Sequence, residues 1–305
     1  MSNPDVQVHH HPVFSRFSPY RGAVEPGYDV DFIGARTRHE FQPSGTMHSP
    51  PVVSLGHPCI DEEYFEWIDI LESVVLADDP YTIAELGAGY GRWAVRAALA
   101  ARQQGKPLGR FIAVEPEPVH FRWLETHFAD NGLDPRTHRL ERAAVGDQPG
   151  ETMFWIGTPD ETSSRPNEWY GQAIANETQL VANARQEMYE GWPVVRHPSG
   201  MRSITVPVRT FAALLADTGV VDLADLDLQG EEHKVVRSSI AQINESVRRL
   251  HIGTHGPQQE EELRRVLREN RWECRADYAC GSQSDTPYGR VAFQDGVQSW
   301  INPRL

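Results

Sequence analysis

Hydrophobic and polar positions change period repeatedly along the chain, and the changes mark the elements. After Asp61, which reads as an N-cap, Tyr64, Trp67, Ile68, Leu71 and Val75 recur at helical spacing to about Ala77. A short apolar run, Thr82-Ile83-Ala84-Glu85-Leu86, then enters Gly87-Ala88-Gly89-Tyr90-Gly91. The spacing predicts a helix over Trp93 to Gln104, stopped by Gly105 and Pro107. A second apolar run fills residues 109 to 116, and Pro116 to Asn131 reads as a helix with Phe121, Leu124 and Phe128 on one face. Strands are expected at His138 to Val145 and at Thr152 to Ile156, with Gly146-Asp147 as a turn between them. Residues 158 to 203 interrupt the alternation with polar, turn-rich sequence containing Trp169-Tyr170, a helix near Thr178 to Met188, and Gly191-Trp192-Pro193.

The alternation resumes with a strand at Ser203 to Val208, a short helix at Thr210 to Leu215 and strands at Leu223 to Leu228 and Val247 to His255. Pro257 opens a helix whose buried stripe is Leu263, Val266 and Leu267, with Glu260 to Glu262 early and Arg264, Arg265 and Arg268 late, the charge order that complements a helix dipole. Trp272 to Tyr278 and Gly289 to Gln294 are expected to pair as an antiparallel hairpin, and Asp295-Gly296 reads as a further turn. Strands alternating with helices predict an α/β fold: a doubly wound, mostly parallel seven-stranded sheet. Residues 1–60 lack a sustained period and read as an irregular arm. Residues 61–305 form the domain, with an insertion or lid at 158–203.

Composition narrows the partners. The formal net charge is −14, from 29 basic and 43 acidic side chains, and no basic patch is visible, so a nucleic-acid partner is disfavoured. Cys59, Cys274 and Cys280 lack metal-ligand spacing, and an odd count does not suggest a disulfide framework. The sequence shows no leader-like start and no apolar run of spanning length, and the expectation is a cytoplasmic protein. His9 to His11 read as a solvated cluster rather than a metal site, because adjacent residues of a regular element point in different directions.

The chemistry sits at the glycines. A strand feeding a glycine-rich turn at a helix N-terminus is where a parallel sheet takes hold of a nucleotide. A dinucleotide fingerprint wants its third glycine three places after the second, where this chain has Arg92; the third glycine comes early, at Gly91. Glu85, two places before the first glycine, would repel a pyrophosphate but suits a ligand presenting an ammonium. Glu115 ends the next strand at the place where an acidic residue accepts hydrogen bonds from ribose hydroxyls.

Glu85-x-Gly87-x-Gly89-x-Gly91 resembles motif I of the class I (Rossmann-like) S-adenosylmethionine methyltransferases. Asp227-x-Gln229-Gly230-x-Glu232 at a strand end resembles the signature of the FkbM-type methyltransferases, as does the valine-rich segment at 203 to 211; the following strand ends in His255. The position two before that histidine, often glutamate in the family, is Gly253. The resemblance covers about residues 80 to 275 and implies S-adenosylmethionine as cofactor and methyl transfer to a hydroxyl of a sugar, glycoside or secondary metabolite. The cofactor set is then Glu85, Gly87, Ala88, Gly89, Tyr90, Gly91, Glu115, Pro116, Ala143 and Ala144, and the catalytic set is Asp227, His255 and Glu232.

Two strand ends thus offer a base. His255 is the expected one, since its reference pKa near 6.5 suits the task, with Asp227 orienting the acceptor or the ring; the reverse assignment stands beside it. In a variant of this reading, Asp227, Glu232 and His255 hold a divalent cation that lowers the hydroxyl pKa. The insertion is expected to bind the small-molecule or glycan acceptor, and a homodimer is compatible with the sequence. An NAD-dependent oxidoreductase is the competing enzyme, and a non-catalytic S-adenosylmethionine-binding protein the competing non-enzyme.

Overall fold

Two short strands, Ile83–Leu86 and Leu223–Leu226, each apolar but for one acid, are buried along their whole length and build the centre of the sheet. The computed structural model describes residues 9–42, 46–78, 80–156, 173–175, 187–198 and 200–305. In the arm, β1 (Arg21–Ala23), β2 (Tyr28–Val30), β3 (Arg36–Arg38) and β4 (Val52–Ser54) make two antiparallel ribbons, β1 with β4 and β2 with β3. The arm is therefore more regular than its sequence suggests; three-residue strands are too short to display a period. It is also part of the core, since Phe14, Phe17 and Phe32 are buried with Tyr64 and Trp67.

The first helix, α1 (Glu63–Leu76), starts one residue later than a cap at Asp61 implies, and the Asp61 carbonyl accepts the Tyr64 amide at 3.2 Å. The order then runs β5 (Ile83–Leu86), α2 (Arg92–Gln103), β6 (Ile112–Val114), α3 (Pro118–Asp130) and β7 (Arg139–Glu141). The expected third strand splits. Only β7 joins the main sheet, while β8 (Ala144–Gly146) leaves it for a second, four-stranded sheet with β9 (Gly150–Trp155), β12 (Val195–Arg196) and β13 (Arg202–Thr210).

That second sheet carries what the structure describes of the insertion. β10 (Met188–Tyr189) and β11 (Trp192–Pro193) form a ribbon, and β12 (Val195–Arg196) pairs with β13 (Arg202–Thr210), which runs antiparallel to β9 and parallel to β8. Ile204, Val206 and Val208 alternate into a small core with Ala144, Phe154, Ile156 and Val194, which is why this strand belongs to its own layer. Trp169-Tyr170 and the helix expected near Thr178 lie outside the described residues; Met188, its expected end, opens β10.

Next come α4 (Phe211–Leu215), β14 (Leu223–Leu226), α5 (Glu232–Ser246), β15 (Arg249–Thr254), α6 (Pro257–Glu269), β16 (Glu273–Tyr278), β17 (Ser282–Thr286), β18 (Gly289–Phe293) and β19 (Gly296–Ile301). The seven-stranded sheet has the order β16-β19-β15-β14-β5-β6-β7, parallel from β7 to β15. One hairpin expectation is overturned: β16 pairs with β19, and β18 pairs instead with β17. Gly296 opens the inserted strand rather than closing a turn. The strand is cryptic because Gln298 and Ser299 are polar yet buried, with Gln298 Nε2 donating to the Glu260 carbonyl at 3.1 Å and Ser299 Oγ to Asp69 Oδ1 at 2.6 Å.

Helices cover both faces. Residues of α1, α2 and α3 pack with Ile83, Phe111 and Ala113 on one side, while residues of α4, α5 and α6 pack with Ala84, Leu226 and Leu250 on the other. Truncating a fully buried side chain such as Leu124 or Leu250 to alanine should cost about 2–5 kcal/mol. Strand order reverses between β5 and β14, the switch point where ligands enter an open α/β sheet. Among the described residues no helix is long and apolar enough to cross a membrane.

Candidate active site

Backbone geometry shapes the cleft at the switch point. Gly87 (φ 83°) donates to the Val114 carbonyl at 3.0 Å, and a Cβ there would lie 1.9 Å from the Asp227 carbonyl oxygen, so only glycine lets β5 and the end of β14 close together. Gly91 (φ 74°) is different. It sits at the N-cap of α2, where a Cβ would meet Leu124 at 2.3 Å, and it is absent from the cleft lining: its role is helix packing rather than direct cofactor contact.

The two predicted acids are both buried, one hydrogen-bonded to the helix that follows the loop and the other to the loop itself. Glu85 accepts the amides of Trp93 (3.1 Å) and Ala94 (2.8 Å), capping α2 with its carboxylate. Burial, then the nearby Asp225 carboxylate, push its pKa up to about 8, against the pull of those amides. Glu115 accepts the Gly89 amide on Oε2 and the Glu117 amide on Oε1, both at 2.8 Å, and is likewise pushed up to about 8 by burial, with Glu117 adding to the rise. Both acids line a cleft of ≈ 390 Å³ together with Gly87, Ala88, Gly89, Tyr90, Pro116, Ala143 and Ala144. That volume falls in the range of small-molecule sites.

The catalytic trio is brought together, with unequal exposure. Asp227 lines the cleft with a side chain 55% exposed, and its Oδ1 accepts from Gln229 Nε2 at 2.8 Å. Glu232 is fully buried: its Oε1 takes the Leu228 amide (2.7 Å) and its Oε2 the Gly230 amide (3.0 Å), fixing the turn in which Gln229 (φ 52°) and Gly230 (φ 105°) reverse the chain. His255, one residue past β15, stands behind Asp227 and outside the lining, with Nε2 3.3 Å from Asp227 and Nδ1 3.0 Å from Glu232.

A carboxylate thus faces each ring nitrogen of His255, and the two hold the ring between them. Burial alone would lower its pKa; the flanking carboxylates outweigh burial and push it up to about 10. An imidazolium has no free lone pair at neutral pH. The flanking carboxylates favour the charged ring, which bears on the choice between His255 and Asp227 as the base. The ligand atoms of the trio lie within 4.8 Å of one another, but both Glu232 oxygens are already engaged by amides.

Sequence reading missed a second group in the same cleft. Glu85, Asp225, His251 and Ser299 stand opposite one another on β5, β14, β15 and β19, and Glu63, Glu66 and Asp69 descend on them from α1. Glu63, Glu66, Asp225 and His251 line the cleft. Asp69 is buried and receives Arg249 (2.6 Å), His251 Nδ1 (2.7 Å) and Ser299. Glu66 and Asp225 are both raised, burial being the larger cause for each. A signal existed in the helix: acids at 63, 66, 69 and 72 recur every third residue beside the apolar stripe, too close to it to be wholly solvated.

The model of the "Methyltransferase FkbM domain" matches residues 85–278. A curated protein of Jannaschia sp. (strain CCS1) named "Putative methyltransferase" is 24% identical over 311 residues, covering 95% of this chain and 97% of its own length. Among solved structures, a methyltransferase FkbM from Methylobacillus flagellatus KT is 12% identical (TM-score 0.42; 74% of this chain, 45% of that one). A ribosomal protein L11 methylase from Lactobacillus delbrueckii subsp. bulgaricus is 11% identical (TM-score 0.40; 78% and 79%). With the family model spanning both the glycine loop and the Asp227 turn, the chain belongs to the FkbM methyltransferase family.

Proposed function

We propose that the chain is an S-adenosylmethionine-dependent O-methyltransferase acting on a hydroxyl of a sugar, glycoside or related metabolite. The observation that carries the reading is Asp227: a half-exposed carboxylate whose backbone abuts Gly87 and whose side chain opens into the same cleft as Glu85 and Glu115. The residues present fit the cofactor. Gly87, Ala88 and Gly89 present backbone and at most a methyl group to the cleft, and Glu115 is held where ribose hydroxyls could replace the amides it now accepts. Ala143 and Ala144 offer a small apolar wall for the adenine, and Glu85 marks the end that takes the amino-acid portion.

When bound, S-adenosylmethionine supplies a methyl group already activated for in-line displacement. Asp227 takes the proton of the acceptor hydroxyl as the new bond to oxygen forms, a contribution of roughly 10² to 10⁴ in rate. His255 holds a positive charge behind that carboxylate and fixes its direction. Glu232 holds the turn and the far side of the ring. Glu62, Glu63, Glu66 and Asp295 also line the cleft, so an uncharged or cationic acceptor fits and a phosphorylated one does not.

The test is incubation with methyl-labelled cofactor and a panel of sugars and hydroxylated natural products, read by mass spectrometry. A gain of one methyl on an oxygen, lost in Asp227→Asn, supports the reading. Transfer to nitrogen or carbon only, or normal turnover in Asp227→Asn, overturns it.

A further inference from the structure

The group formed by Glu66, Asp225 and His251 takes no part in the proton transfer assigned to Asp227, yet it is built in a way that calls for an occupant. The three side chains each offer a ligand atom within 4.8 Å of the others. Asp225 is 3% exposed; its carboxyl group meets that of Glu66, while its Oδ1 has no hydrogen-bond partner among the described residues, a costly arrangement for a buried acid. His251 gives Nδ1 to the Asp69 carboxylate at 2.7 Å, which leaves Nε2 as the ring nitrogen available to a ligand. A carboxylate behind a histidine, fixing ring and tautomer, is the supporting arrangement of metal-binding histidines. Asp69 is itself pinned by Arg249 and Ser299, each at 2.6 Å, so the histidine is held before any ligand arrives.

We propose that Glu66, Asp225 and His251 form a binding site for a divalent first-row transition cation, with its open coordination positions facing the cleft. Two carboxylate oxygens and one imidazole suit Mn²⁺, Fe²⁺ or Zn²⁺ better than a thiol-seeking ion. The trio of Asp227, Glu232 and His255 is the poorer site, because Glu232 spends both oxygens on backbone amides. Placement on adjacent strands and on α1 also makes the group rigid, as a metal site needs, whereas Asp227 lies beyond the end of β14. The proposal does not depend on the reaction catalysed. An ion here would cancel part of the surplus negative charge of the cleft and could hold the oxygens of a polyhydroxylated molecule.

The experiment is Mn²⁺ uptake by the full chain after dialysis against a chelator, followed by the loss of the free-ion electron paramagnetic resonance signal and by calorimetry. The expected result is one saturable site, weakened at least tenfold in Glu66→Gln and in Asp225→Asn and retained in Asp227→Asn. Glu66 is only part-buried on α1, so Glu66→Gln gives a folded variant if Asp225→Asn does not, with thermal melting as the check on both. Absence of saturable uptake of Mn²⁺ and Zn²⁺ overturns the proposal. So does uptake that Glu66→Gln leaves intact, or that Asp227→Asn abolishes. A fourth contrary result is no ion binding together with weakened S-adenosylhomocysteine binding in both cluster variants, which would make the group a subsite for an organic ammonium.

Discussion

The Gly89 amide donates to Oε2 of Glu115 across 2.8 Å, tying the glycine turn to the end of the neighbouring strand 26 residues later. One carboxylate thereby serves the fold and the ligand site at once. Glu115→Ala leaves the Gly89 and Glu117 amides without their acceptor and removes the group assigned to the ribose. The expected outcome is about 10- to 100-fold weaker binding of S-adenosylhomocysteine by calorimetry, the equivalent of roughly 1.4–2.7 kcal/mol.

Gly87→Ala should be worse than its single methyl suggests. The backbone is at φ 83°, and the added carbon would lie 1.9 Å from the Asp227 carbonyl oxygen, so the strain of the left-handed conformation combines with a clash between β5 and the end of β14. The expected loss is at least about 2 kcal/mol in urea unfolding, with binding of S-adenosylhomocysteine abolished. Gly91→Ala strikes α3 instead, and should destabilise while leaving more of the binding in the fraction that folds.

Acid sensitivity should come in part from His127. Its ring is buried, Nδ1 lies 3.0 Å from the Tyr90 carbonyl of the glycine turn, and burial lowers its pKa to about 4. A folded-state value below the unfolded value near 6.5 means that the neutral ring is favoured in the fold. Its stability contribution is present above pH 6.5 and is lost as pH falls toward 4, roughly 3 kcal/mol in total. Chemical unfolding at a series of pH values should show this slope in the native protein and a flatter one in His127→Gln.

The pair at the strand ends separates binding from turnover. Asp227→Asn should retain cofactor affinity and lower kcat by about 10² to 10⁴, the worth of a positioned base. His255→Gln removes the cation behind that base and should lower kcat by less, again without loss of S-adenosylhomocysteine binding. The charge on His255 also bears on stability: with its pKa at about 10 in the fold against 6.5 unfolded, its contribution is full below pH 6.5 and is lost as pH rises through 10.

Local chemistry made the glycine turn and the Asp227 turn readable in the sequence, because positive-φ glycines and strand-end acids have few other uses there. The parallel α/β class followed from the alternation of apolar runs and helices, while the pairing at the C-terminal edge did not. What escaped notice was buried polarity. β19 hides its strand behind Gln298 and Ser299, which look solvated and are paired inside. Asp225 and His251 likewise sit on buried strands, and only their cross-strand neighbours, invisible in one dimension, bring them to the cleft. Loss of β8 to a second sheet had the same origin, since its partner β13 lies some sixty residues further on.

The central claim is that the cleft framed by Glu85, the glycine turn and Glu115 holds the methyl donor. Calorimetric titration of the purified chain with S-adenosylhomocysteine, with NAD in a parallel run, tests it most directly. The account predicts saturable one-to-one binding of S-adenosylhomocysteine, weakened in Glu115→Ala, and no response to NAD. Saturable binding of NAD with none of S-adenosylhomocysteine would contradict it.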